Sequence, residues 1–546
     1  MKIWQAIGAP LLLAEGVGLL IVGFIHVAHA ENGKLRFLLI DDAMISMCYA
    51  RSLVEGCGLV WYCGAEKVEG FTNFLWTLYM AFWHWLGFKD DWGALPILLT
   101  GLVTIAMQIY WLYRLGEDFG GERVGQMTAW VGAAFFPLIR WHVSGMETGL
   151  LTLLLTYLLY RALKVKQQWP VVTLILISIG VLVRMDFGVW AAAIAAYVAY
   201  RERSWRLWWE VFLVVGLASG SLTLFRWLYY GEFLPNTHYI KVQLVPWFYR
   251  VINGLLSFGK YAYVNAALFL LVAYAFWKRR LSTSEDRLMW VSALAGFLYN
   301  LYAGGDAWET PSTGSRFLLM SSISLFALSG YTLGRLGLAM RIVGLATVLM
   351  GTPSPKLTWE SIRMYHFYKM AVEEKERDNV RWYNFVLNPE INLTSRVSPK
   401  SVIAIIPAGT YPYFYRIYDW IDLLGLCSKH NAFDTIWCSR STPPPLLYMP
   451  GHTHAGWQKA IEKADVLFLS GLECEQRPEL RSFEWRCKVS WLAPNCCEQA
   501  HYSGMFQDRR RMAELCRIFY KDPSIPHLYR KLHWEVDGAN FPKNTE

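Results

Sequence analysis

Charged side chains are scarce in this sequence, 17% of its residues against 54% hydrophobic. The shortage excludes a single soluble core, because 546 residues this apolar, with 27 Trp and a positive mean hydropathy, exceed what a globular interior can hide. A multi-span membrane protein is implied. Paired CxxC-like spacing is absent, which argues against a structural zinc site. No internal repeat is visible, and no Gly/Ser linker divides the chain. Acidic residues are outnumbered 43 to 52, but the basic excess falls in short clusters between apolar segments. The positive-inside rule accounts for such clusters without a polyanion, so no nucleic-acid partner is expected.

What is present is a series of eleven apolar segments, near 8–30, 92–113, 125–139, 149–163, 170–183, 187–200, 207–229, 261–277, 288–302, 316–333 and 336–351. Each is read as a span. Lys2, an apolar run and the small-residue "AHA" at 28–30 also fit a cleavable signal peptide, but the apolar series that follows favours a retained first span. A twelfth candidate, "FTNFLWTLYMAFWHWLGF" at 71–88, is broken by Asn73, His84 and many aromatics. If it does not span, the loops bearing Arg114/Arg123, Arg161/Lys164/Lys166, Arg201/Arg203/Arg206, Lys278/Arg279/Arg280 and Arg335 all lie on one face. If it spans, all of them flip outside while Lys2 stays inside. The stretch therefore reads as an amphipathic helix in the outer interface, within a first outer loop at 31–91. The same count places 140–149, 184–188, 229–250 and 303–316 outside, and these segments are rich in Gly, Pro and aromatic residues and carry Glu147, Asp186, Glu232, Asp306 and Glu309.

From about 352 the composition turns mixed, with alternating runs such as "SVIAIIPAG" (401–409) and "ADVLFLSG" (464–471) and Pro-rich breaks. This reads as a soluble outer domain, 352–546, of α/β or mainly β type, after a membrane domain at 1–351. Seven of the ten cysteines fall there (Cys427, Cys438, Cys474, Cys487, Cys496, Cys497 and Cys516), consistent with up to three disulfides in an oxidising compartment. Cys57 and Cys63 share the first loop and are candidates for a bridge of their own. His452 and His454, the "NLT" at 392–394 and Arg509–Arg511 read as surface or packing features.

Against this background, "DDAMISMCYARSLVEGCGLVWYCGAEKVEGFTNFLW" (41–76) places two adjacent carboxylates, Asp41 and Asp42, at the membrane surface. Ionised groups near a bilayer are costly and usually functional. A membrane site with carboxylates and a few cations suits transfer of a group from a lipid-linked phosphate to an acceptor hydroxyl. Asp41 or Asp42 would take the proton. Lys241, His238, Arg184 and Arg316 would stabilise the departing phosphate. The competing reading of the pair is a helix N-cap solvated at the interface.

The same 41–76 stretch resembles the first outer loop of bacterial polyprenyl-phosphate-arabinose-dependent arabinofuranosyltransferases, a group that includes flagellar motor-control and pilin-glycosylating membrane proteins. Further matches follow in order: "SGMETGLLTLLL" (144–155), "YYGEFLPNTHYIKV" (229–242), "AGGDAWETPSTGSRFL" (303–318), "IIPAGTYPYFYRIYDWIDLLGLCSKHNA" (405–432) and "PGH" (450–452). The resemblance implies a GT-C glycosyltransferase: an α-helical membrane core, outer interface helices, and a periplasmic carboxyl-terminal domain that binds carbohydrate or acceptor. It implies a bacterial inner-membrane location, Asp41 and Asp42 as the paired aspartates, and Lys241 and Arg316 on the donor phosphate. Glu147, Asn236, Tyr239, Asp306, Glu69 and Asn73 become substrate-binding candidates. No catalytic metal or other cofactor is implied. The family's usual "RPDG" is "RMDFG" here (184–188), and "GGDWMP" is replaced by "GGDAWETP".

The expectation is transfer of a sugar, D-arabinofuranose, from a polyprenyl monophosphate donor in the bilayer to a glycan or glycoprotein hydroxyl. The alternatives are mannose or another lipid-linked pentose on the same fold, or a non-catalytic membrane assembly factor. A transporter is disfavoured because the polar residues gather in loops and not at mid-span.

Overall fold

The computed structural model describes residues 2–29, 35–307, 314–351, 400, 402–405, 408–422, 424–428 and 466–468. Six of the carboxyl-terminal cysteines, His452, His454, Asn392 and Arg509–Arg511 lie outside the described residues. Helices dominate: α1 (Lys2–Ile21), α2 (Asp41–Val54), α3 (Phe74–Trp85), α4 (Leu95–Gly120), α5 (Glu122–Ala134), α6 (Phe136–His142), α7 (Thr148–Lys164), α8 (Val171–Val183), α9 (Phe187–Arg201), α10 (Trp205–Tyr230), α11 (Asn236–His238), α12 (Trp247–Val264), α13 (Ala266–Arg279), α14 (Ser284–Ala303), α15 (Arg316–Arg335) and α16 (Leu338–Met350).

Each of the eleven apolar segments contains helix, and the helices differ in whether length and composition alone qualify them as full crossings. Among the described residues, four helices are long and apolar enough to cross a membrane: Ile3–His26, Asp90–Gly120, Trp205–Tyr230 and Arg316–Arg335. A fifth crossing requires counting α12 and α13 together across their 90° bend. The segment at 125–139 breaks at Phe135, where Pro137 at the start of α6 restarts the helix. The segment expected at 261–277 begins instead after Asn265, and the chain before it forms a helix, α12, that the apolar windows do not resolve. The stretch at 71–88 yields only the 12-residue α3, about 18 Å long against the roughly 30 Å of a hydrocarbon core, so it cannot span.

Small residues let the central helices close up. Gly116 on α4 and Gly330 on α15 both face Thr128 of α5, and a Cβ on either glycine would meet the Thr128 hydroxyl oxygen at 2.4 or 2.2 Å. Such contacts draw apolar helices together where water-driven burial is weak.

The first loop is not an isolated excursion. Ten residues of α2 are buried, because α3 covers one side and the chain from 408 to 428 covers another. Cys57 and Cys63 are joined by a disulfide just beyond α2. The described carboxyl-terminal strands, Val402–Ile405, Asp419–Asp422 and Val466–Phe468, pair in parallel with the first of them central. Parallel pairing needs crossovers, an α/β trait. The first crossover contains a short helix, Thr410–Phe414, that lies on α2. Trp61 Nε1 donates to the Ala408 carbonyl at 2.8 Å, the His84 ring meets the Tyr413 hydroxyl at 2.9 Å, and Arg51 donates to the Tyr413 carbonyl. Cys427, one of the seven carboxyl-terminal cysteines, is buried with a free thiol.

Candidate active site

A cavity of about 320 Å³ opens where α2, the α8–α9 turn, the end of α10, the 234–242 segment and the start of α15 converge. Its charged lining is Asp42, Arg184, Asp186, Arg226, Lys241, Asp306 and Arg316, with His238 and Asn73 beside them. Local structure sets each one. Asp42 is the second residue of α2, whose N-cap, Ile40, supplies no side-chain bond. The aspartates are therefore not a cap. They stand in the first turn, where the helix dipole favours negative charge. Arg184 ends α8 and Asp186 precedes α9, so the tight turn between them brings both into the cavity. Lys241 lies on a π-helical turn, Tyr239–Gln243, a geometry found often at functional sites.

The cations differ in how they are satisfied. Arg316 grips Asp306 through Nε–Oδ2 at 2.9 Å and Nη2–Oδ1 at 2.8 Å, with Nη1 3.7 Å from Asp42 Oδ2. Arg184 bonds Glu147 at 2.8 Å and Asp186 at 2.7 Å. Arg226, 1% exposed, is bound by Glu69 at 2.6 Å. Lys241 has no hydrogen bond or ion pair among the described residues, and its ammonium lies in the field of Arg316, Asp42, Asp306 and Arg184. Burial, then the nearby Arg316, lowers its affinity for the proton, while Asp42 and Asp306 oppose them. An incoming anion would reverse that shift. Burial raises Asp306, but Arg316 outweighs it and keeps that carboxyl below its usual range. Among the described residues no group of three or more His, Cys, Asp and Glu is placed to hold a metal ion.

The structure gathers Asp42, Lys241, His238, Arg316, Arg184, Asp306 and Asn73 around one space. The other candidates stand behind or beside it. Asp41 turns away to the 409–410 turn. Glu147, fully buried, ties Arg184 to the side-chain amide of Asn73 at 2.8 Å, and Asn73 in turn accepts from Ser46 of α2 at 2.9 Å. Glu69 serves Arg226. Asn236 donates to the carbonyls of Gly425 and Leu426 at 2.7 and 3.2 Å, fastening the carboxyl-terminal segment to the cavity wall that Leu426 lines. Tyr239 donates to Glu232 at 3.2 Å. Arg226 is absent from the candidates that the sequence suggests, although an arginine inside the apolar 207–229 segment is itself a signal.

No family model matches the chain. The chain is similar to a terminal β-(1→2)-arabinofuranosyltransferase of Mycobacterium tuberculosis. The two are 26% identical over 220 residues, 37% of this chain, so the match spans about a third, 34%, of that relative's length. Among solved structures, ArnT from Cupriavidus metallidurans bound to undecaprenyl phosphate superposes with a TM-score of 0.49 at 13% identity, covering 76% of this chain and 86% of that one. The oligosaccharyltransferase AglB from Archaeoglobus fulgidus, in complex with an inhibitory peptide and a dolichol-phosphate, gives 0.41 at 10% identity over 77% of this chain and 64% of its own.

Proposed function

We propose that this chain is a membrane glycosyltransferase of GT-C type that moves D-arabinofuranose from a polyprenyl monophosphate to a glycan or protein hydroxyl on the outer face of a bacterial inner membrane. The observation that carries the reading is Lys241: a cation without an ionic partner among the described residues, sharing a cavity with the carboxylate of Asp42. In the proposed step the acceptor oxygen attacks the anomeric carbon, and the bond from that carbon to the phosphate oxygen breaks with its electron pair. The phosphate leaves against Lys241, with Arg316, Arg184 and His238 around it, and the acceptor proton passes to Asp42. Cations held rigidly by Asp306, Asp186 and Glu147 need little reorganisation as charge develops on the leaving group. The lipid donor is confined to the membrane plane, so positioning supplies much of the rate.

The outer orientation of the loops is part of the proposal: it is supported by the Arg/Lys bias of the opposite loops when all eleven apolar segments are counted as spans, and it agrees with a disulfide at Cys57–Cys63. The arabinose assignment rests on the partial similarity to the mycobacterial arabinofuranosyltransferase. The test is a membrane assay offering radiolabelled polyprenyl-phosphate-arabinose and its mannose equivalent. Arabinose should leave its lipid in the presence of the native protein and not with Asp42→Asn, which should lose at least about a hundredfold in rate while remaining folded. Release of mannose alone would replace the donor, full activity in D42N would remove Asp42 from the role of base, and release of neither sugar would return the chain to a scaffold role.

A further inference from the structure

The two adjacent carboxylates at the start of α2 serve different surroundings. Asp42 lines the cavity. Asp41 accepts three hydrogen bonds from a turn 368 residues further along: Gly409 N–H to Oδ2 at 3.2 Å, Thr410 N–H to Oδ1 at 2.8 Å, and the Thr410 hydroxyl to Oδ1 at 2.9 Å. The turn is pressed against the helix. A Cβ on Gly409 would stand 2.0 Å from the Asp41 carbonyl oxygen and 2.9 Å from the Ile45 nitrogen. Two helical turns along, Cys48 Sγ donates to the Gly409 carbonyl at 3.3 Å. Asp41, Ile45 and Cys48 follow i, i+4, i+7 spacing, so one stripe of α2 is occupied by the turn. Asp42, the next residue, is rotated about 100° around the axis and faces the cavity instead.

This is an expensive place for a carboxylate. Burial, the largest influence, pushes Asp41 up to about 6 even though three donors favour its ionised form. A residue kept there against desolvation, with both oxygens committed to backbone and hydroxyl donors, is poorly placed to receive a substrate proton. It is well placed to hold a helix. The N-cap of α2 gives no help, since Ile40 has no side-chain acceptor.

We propose that Asp41 is a positioning residue: its clamp on Gly409–Thr410 fixes the rotation and axial position of α2 and so aims Asp42 into the cavity. The 408–414 segment thereby becomes part of the transfer apparatus without touching substrate. The role rests on the glycosyl-transfer reading above, but the clamp itself has a readout independent of activity. Cys48 is buried beneath the Gly409 carbonyl, so loosening the turn exposes its thiol.

The experiment compares D41N, T410V, T410S, the double variant D41N/T410V and D42N in membranes with the radiolabelled arabinose donor, and maps alkylation of Cys48 by mass spectrometry. An amide at 41 keeps a carbonyl acceptor for Thr410. D41N and T410V should each lower kcat by about tenfold, the scale of a lost charge-assisted hydrogen bond, with donor KM unchanged. The double variant should be no worse than D41N, because both changes break one clamp. T410S should restore kcat, and Cys48 should be alkylated faster in D41N and T410V but not in D42N. The proposal is overturned if D41N is as inactive as D42N, if T410V keeps native kcat, if the two losses multiply, or if Cys48 stays protected in both clamp variants. Should the native protein release no sugar at all, the functional reading fails, while the alkylation arm still decides the clamp.

Discussion

Arg316 Nη1 stands 3.7 Å from Oδ2 of Asp42 while the rest of its guanidinium is occupied by Asp306 at 2.8 and 2.9 Å. Arg316 is thus oriented by one carboxylate and only brushes the other. Asp306 keeps the arginine from closing fully on the proposed base, and the two together hold a cation at the cavity wall.

Breaking that buried pair should be costly. Arg316→Met takes from buried Asp306 the guanidinium that holds both its oxygens and should destabilise the protein by about 3 kcal/mol, seen as a lower thermal midpoint in detergent. Asp306→Asn should leave Arg316 free to pair with Asp42 and lower kcat by about tenfold, with a smaller loss of stability because the amide still accepts one bond.

Lys241→Met should raise donor KM by at least about tenfold, since the proposed contact is a charge-assisted one to phosphate. Lys241→Arg should recover it only in part, because a planar fork does not occupy the space of a compact ammonium. Titration of donor binding should show affinity falling as pH rises through the lowered proton affinity of Lys241, at a lower pH than an ordinary lysine would give.

Asp41 has a folded-state value of about 6 against 3.8 for the unaffected group. Between those values the folded chain binds more protons than the unfolded chain, so this group's contribution to stability is greatest below about pH 4, declines as pH rises to about 6, and is level above. Its neighbours Asp42, Cys48, Tyr411, Asp422 and Cys427 share its field, and buried Asp422, also pushed up to about 6, adds a slope of the same sign. Buried His84 and His142 and half-buried His238, all held below the usual histidine value by burial, add slopes of the opposite sign, so the share of Asp41 is read as a difference: the native thermal midpoint minus that of D41N should fall from pH 4 to about 6 and level off above.

Gly330→Val should force α15 away from α5, because even the first added carbon lies 2.2 Å from the Thr128 hydroxyl and 2.8 Å from its nitrogen. The expected loss is about 1–3 kcal/mol, and Thr128→Ala in the same chain should recover part of it by opening space.

Much of the site is legible in the order of the residues alone. Asp42, Lys241, Arg184, Arg316 and Asp306 come from four separate loops, each marked as a polar interruption of an apolar sequence, and the cavity unites them. Arg226 carries the same signal, but inside an apolar segment, where a lone cation is easily averaged away. The helix breaks at Phe135 and Asn265 are hidden because hydropathy windows average over about 19 residues and smooth away a kink that needs only one or two. The division of labour between Asp41 and Asp42 is invisible at that level. Adjacent identical residues differ only in rotation about a helix axis, and which side faces a cavity depends on the chain packed against the other.

The sequence by itself determined that this is a helical membrane protein, since no soluble interior accommodates so much apolar surface, and that its charges gather between the apolar segments, since ionised groups are expelled from hydrocarbon. Only the tertiary structure decided which charges meet. Asp41 finds Gly409 and Thr410, and Asn236 finds Gly425 and Leu426, across long stretches of the chain. Contacts between residues hundreds of positions apart leave no local pattern of period, propensity or spacing. They exist because α2 must bury ten of its residues, and the carboxyl-terminal segment is one of the surfaces that covers them.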